Sequence, residues 1–149
     1  MRGILCSGIA LTALLLGACR GSSPPGAGGG GSGGGVVPKP TAMLKVSDPS
    51  GAFGPFAIAS LEKLFISVEG ANLKPGAHAV RVDVTSPRGS LYAQLPASLR
   101  ADDQRRGSTV RTLQVRGSVI GTYREVGTWR MVAYVDGVPM AAASVDITE

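Results

Sequence analysis

Histidine is almost missing from this chain: one imidazole, His78, serves 149 residues. A site built on several histidines of one chain is thereby excluded. Cysteine is nearly as scarce, with Cys6 and Cys19 both confined to the first nineteen residues. Aromatic residues make up 5% of the chain, too few for a surface that stacks successive bases, so no nucleic-acid partner is expected. The P-loop and the H-E-x-x-H pair are absent, and the one literal G-x-S-x-G match, Gly30–Gly34, belongs to a glycine run and not to a strand-to-helix nucleophile elbow. No catalytic residue, metal or cofactor is assigned on this pattern. The length suits one ordinary domain.

Hydrophobic residues are concentrated at the start. Arg2 supplies a short positive beginning, and Ile4 to Ala18 reads ILCSGIALTALLLGA. This run is shorter than the ~20 residues that cross a bilayer as a helix. Ser7, Gly8, Thr12 and Gly17 dilute it further. Such a segment reads as a cleavable export leader. It ends in Leu16-Gly17-Ala18-Cys19, which resembles the lipobox of bacterial lipoproteins. The resemblance implies a diacylglyceryl group on the Cys19 thiol, removal of residues 1–18 as a signal peptide, and acylation of the new amine, palmitate being a usual chain. Several acyl chains, at ~0.8 kcal/mol per buried methylene, exceed the marginal hold of one. An ordinary secretory signal that happens to precede Cys19 is the plainer alternative. Arg20 stands where an Asp often marks inner-membrane retention, so family analogy implies the outer membrane in a Gram-negative source. Cleavage removes Cys6 and thioetherification consumes Cys19. The mature chain would then have no thiol for a disulfide, a zinc site or a nucleophile.

From Cys19 to Pro40 the composition changes. RGSSPPGAGGGGSGGGVVPKP, Arg20 to Pro40, has almost nothing to bury and cannot offset its ordering entropy. A flexible tether with a mean reach of about 25 Å is expected. Its glycine run follows no strand and opens no helix, so it is not a phosphate loop.

Residues 41–149 carry the folded domain. His78 to Thr85 alternates, with Val80, Val82 and Val84 on one face, which is strand periodicity. Trp129, Met131, Ala133 and Val135 repeat the pattern, and Asp136-Gly137 then signals a type I′ hairpin. A returning strand is expected from Met140 to Ile147, with Pro139 at a strand start or edge. Shorter strands are expected at Met43–Val46, Leu61–Glu69, Ser90–Leu95 and Thr109–Arg116. A helix over Ile58–Phe65 competes with the start of the second of these. The sum is an all-β domain of about seven strands, an antiparallel immunoglobulin-like sandwich, with a small open barrel as the alternative. Gly127 to Ile147 resembles the terminal hairpin of bacterial immunoglobulin-like or fibronectin-like modules. It departs from antibody domains in lacking a Cys pair and in placing Trp129 in the penultimate strand.

Candidate chemistry is sparse. His78 shares parity with Val80, Val82 and Val84, so a general base, a metal ligand or a partly buried strand-end residue fits, the last being the plainer reading since no second ligand sits at motif spacing. Asp102-Asp103 offers carboxylates for Ca²⁺, but Arg100, Arg105 and Arg106 flank it, and a solvated loop is the plainer reading. Glu62, Glu69 and Glu125 show no glycosidase spacing. Arg100, Arg105, Arg106 and Arg111, with Arg116 beyond, concentrate positive charge in one stretch of a chain of net charge +5. That patch would meet an anionic partner or serve only solubility. The expected function is a lipid-anchored envelope protein, attached to the membrane through Cys19, with a non-catalytic interaction module for a protein or glycan. A glycan-binding surface would have to use Tyr92, Tyr123 and Tyr134; a small hydrolase would have to use His78.

Overall fold

The computed structural model describes residues 37–149. The leader, the motif ending in Cys19 and the glycine-rich stretch through Val36 lie outside the described residues. Eight strands and one short helix follow: β1 (Thr41–Ser47), β2 (Phe56–Ala57), β3 (Lys63–Ala71), β4 (Gly76–Thr85), β5 (Leu91–Ala101), β6 (Gly107–Gln114), α1 (Val119–Thr122), β7 (Gly127–Val135) and β8 (Val138–Thr148). The domain is mostly β.

Two sheets form, one in the order β1-β3-β6 and one in the order β2-β8-β7-β4-β5. All pairings are antiparallel except β2 with β8. The alternation seen in the sequence decides which face is buried. Leu64, Ile66 and Val68 of β3 turn inward, as do Val80, Val82 and Val84 of β4 and Trp129, Met131, Ala133 and Val135 of β7. Both sheets contribute these residues to one hydrophobic core. Each such side chain withdrawn from water is worth roughly 1.5–3 kcal/mol.

Several local features follow from residue chemistry. Asp136 (φ 51°) and Gly137 (φ 81°) both adopt the left-handed region, which a type I′ hairpin requires and which Asp and Gly tolerate best. β5 extends to Ala101, well past the expected Leu95. Pro96 does not stop it, because β5 is an edge strand and an edge tolerates a residue without an N–H. Tyr92 is the extra residue where the β4–β5 register slips. Pro139 is the second residue of β8, where β2 does not reach. Ile58 to Ser60 forms a turn and the strand begins at Lys63, so the helical alternative over Ile58–Phe65 is not realised. β2 and α1 were not anticipated; both are too short to leave a periodic signal.

The registers define two ends. Thr41 lies beside Ala71, and Gly70 beside Gly107. The chain therefore enters at an end built from the β3–β4 connection, the β5–β6 turn and the β7–β8 turn, here the proximal end. β1 then runs seven residues, ~23 Å at ~3.3 Å each. It delivers the chain to the distal end, made by residues 48–62, 86–90 and 115–126.

Candidate functional site

A hydrogen-bonded polar cluster sits at the proximal end. β4 begins with His78 on the inward parity but at the rim, where its side chain keeps 11% exposure. The β7–β8 turn brings Asp136 against it, with Nδ1 to Oδ2 at 2.6 Å. Nε2 lies 2.7 Å from the carbonyl oxygen of Lys74. The second carboxylate oxygen of Asp136 accepts the Ala79 N–H at 3.0 Å. Asp136 N–H in turn donates to the Ala79 carbonyl at 2.8 Å.

Both partners of the ring are acceptors, so only the doubly protonated imidazolium satisfies both nitrogens. The Asp136 hydrogen bond, then the Lys74 carbonyl, raise the His78 pKa above its ordinary 6.5. The His78 hydrogen bond holds the Asp136 carboxyl below its ordinary 3.8. A general base or a metal ligand needs a free lone pair, and here neither nitrogen offers one. The pair staples the β3–β4 connection, β4 and the β7–β8 turn together.

An apolar groove of about 460 Å³ adjoins this cluster, lined by Leu73, Val138 and Met140 and by Lys39 and Pro40 of the incoming chain. Asn72 Nδ2 also donates to the Lys39 carbonyl at 3.3 Å. The last residues of the expected flexible stretch, which was drawn through Pro40, therefore pack on the domain. The Asn72 hydrogen bond and the groove contact hold them there, although Lys39 and Pro40 stay exposed.

The four arginines expected to form an anionic-partner patch are not brought together as one surface. Arg105 (φ 64°) turns back on the β3–β4 connection, donating from Nε to the Leu73 carbonyl and from Nη2 to the Asn72 carbonyl, each at 3.0 Å. Arg106 is exposed in the β5–β6 turn, and Arg100 projects from the outer side of β5 opposite Ala77. Arg111 belongs to the edge of the other sheet, paired with the fully buried Ile66. Strand alternation and the change of sheet at the β5–β6 turn disperse them. Asp102 is occupied as the cap of that turn, its Oδ1 accepting the Arg106 N–H at 2.9 Å. Among the described residues no group of three or more His, Cys, Asp or Glu side chains could hold a metal ion.

The tyrosines disperse as well. Tyr92 meets Trp129 edge-on, with ring centroids 5.2 Å apart. Tyr134 lies under Arg81, whose guanidinium carbon is 4.4 Å from the ring centroid. Tyr123 is exposed at the distal end. No two of them form a shared stacking platform. Glu69 pairs with Lys45 at 2.9 Å. Glu62 stands at the opposite end of β3 from Glu69. Glu125 gives its carbonyl to Trp129 Nε1 at 3.2 Å.

No protein-family model matches this chain, and no curated protein matches it. Among solved structures, the CARDB domain of the PF1109 protein of Pyrococcus furiosus, solved in complex with di-metal ions, is similar over 76% of this chain and 90% of that one, at 19% identity and a TM-score of 0.43. The alkylpurine DNA glycosylase AlkC of Pseudomonas fluorescens, bound to DNA containing an abasic site analog, matches 74% of this chain and 30% of its own at 14% identity, with a TM-score of 0.44. A beta-glucosidase from Kluyveromyces marxianus matches 73% of this chain and 14% of its own at 14% identity, with a TM-score of 0.43. Likeness of this degree bears on no activity.

The His78–Asp136 staple escaped sequence reasoning because 58 positions separate the two residues. The only signal was an Asp at the first position of an Asp-Gly turn.

Proposed function

We propose that this protein is a lipid-anchored component of a bacterial cell envelope, on the outer membrane in a Gram-negative source. Its domain is a non-catalytic immunoglobulin-like module for binding or structural support. The observation that carries the reading is the Leu16-Gly17-Ala18-Cys19 motif at the end of an apolar leader and directly before a glycine-rich stretch. Placing β1, β3 and β6 in one sheet and β8, β7 and β4 in the other agrees with the strand grouping of immunoglobulin-type sandwiches. The engaged ring of His78 argues against the hydrolase alternative, and the scattered tyrosines argue against a stacking glycan platform. Cys19→Ser is expected to abolish metabolic palmitate labelling and to release the domain from envelope membranes. Labelling that survives the substitution refutes the anchor.

A further inference from the structure

The distal end holds a pocket of about 290 Å³ between the turn at Ile58–Leu61 and the connection from β6 to β7. Arg116 and Arg124 line it from two points of that connection, over Gly117, Gly121 and Thr122. The backbone is arranged to bring both arginines to the lining of one concavity. Val115 and Arg116 both donate their N–H groups to the Glu62 carbonyl at 2.9 Å. Gly121 lets α1 lie directly on this segment, since a Cβ there would stand 2.5 Å from the Val115 carbonyl oxygen.

Neither cation is strongly engaged. Arg116 is exposed and makes no ion pair among the described residues. Arg124 reaches only the Glu149 carboxylate, Nη1 to Oε2 at 3.5 Å, with both side chains 64% exposed. That is longer than the ~2.7–2.9 Å of a charge-assisted hydrogen bond. The chain thus already presents a loosely held carboxylate to one of the two arginines. Tyr123 and Val119 are exposed on the same connection, and Tyr and Arg are among the residue types enriched at binding hot spots.

We propose that this pocket is a carboxylate-binding site, with Arg116 and Arg124 as the clamp and Glu149 as an internal competitor that an external carboxylate displaces. The planar guanidinium fork matches a carboxylate in a way a lysine does not. The site lies at the opposite end of β1 from residues 37–40. The inference rests on the reading of the domain as a binding module and names its ligand class.

The test uses the full-length protein in detergent micelles. Poly-L-glutamate and polygalacturonate are titrated in separate arms, which distinguish a peptide from a polysaccharide source, with inorganic phosphate as competitor. Binding of either polymer is expected. Arg116→Gln with Arg124→Gln should weaken it at least ~10-fold, whereas Arg100→Gln with Arg106→Gln, which removes an equal charge from exposed side chains at the other end, should change it less than ~2-fold. Glu149→Gln should tighten it several-fold. Absence of binding in both arms, equal loss with Arg100→Gln and Arg106→Gln, no gain with Glu149→Gln, or phosphate competing as well as free carboxylate would each overturn the proposal. Palmitate labelling of the same protein separates this outcome from failure of the anchor.

Discussion

The His78–Asp136 pair shows how one turn residue takes on two tasks. Asp136 supplies the positive φ of the hairpin and also the carboxylate that orders His78. Because the folded His78 pKa is raised above 6.5, its contribution is complete below about that pH and fades as pH rises through the raised value. Because the folded Asp136 pKa is lowered from 3.8, its contribution is present above that value and is lost as pH falls through the lowered one. The pair therefore supports the fold most between these two limits. Asp136→Asn retains a residue that tolerates the left-handed region but removes the charge. It should lower stability by about 1 kcal/mol at mildly acidic pH, a modest figure because Asp136 is half exposed. Thermal melts should show a smaller gap between wild type and variant at about pH 9 than at about pH 5. A gap that grows with pH would contradict the imidazolium assignment.

At the scale of elements, sheet edges need protection from pairing with other chains. β5 carries Pro96, and β6 carries Arg111, a charge at an inward-facing register position that stays exposed. An inward-pointing charge is a recognised way to blunt an edge. Arg111→Val should therefore raise self-association, seen as a concentration-dependent shift in sedimentation velocity; a sedimentation profile identical to that of the wild type would remove this role. The α1 connection depends on closeness rather than charge. Gly121→Ala forces a Cβ against the Val115 carbonyl and should destabilise the domain by roughly 1–3 kcal/mol, measurable by urea denaturation.

Across the whole molecule, the two sheets bury one shared core, so damage to one sheet should be felt in the other. Ile66 lies in the three-stranded sheet, and Trp129, the single tryptophan, lies in the five-stranded one. Ile66→Ala should cost about 2–5 kcal/mol. It should shift the Trp129 fluorescence transition and the far-UV dichroism transition together, as expected of two-state unfolding. Transitions that separate would indicate independent sheets.

Period-two alternation of apolar residues was enough to place β3, β4, β7 and β8, because alternation is imposed by the pleat itself and survives in any tertiary context. The Asp136-Gly137 hairpin was legible for a similar reason: few residues accept its dihedral angles. The length of β5, the two-residue β2 and the turn at Ile58 were not legible, because their hydrogen-bond partners lie far along the chain. The same holds for side-chain roles. Arg105 looked like one more surface cation until the fold placed two backbone carbonyls against it, and Arg116 acquired Arg124 as a neighbour only through the connection between β6 and β7. Local pattern and the leader motif were thus determined by the amino-acid order alone. Which charges stand free, which are consumed in turns and which converge on a pocket was decided by tertiary structure, since electrostatic and hydrogen-bond partnerships depend on distance in space and not on separation in sequence.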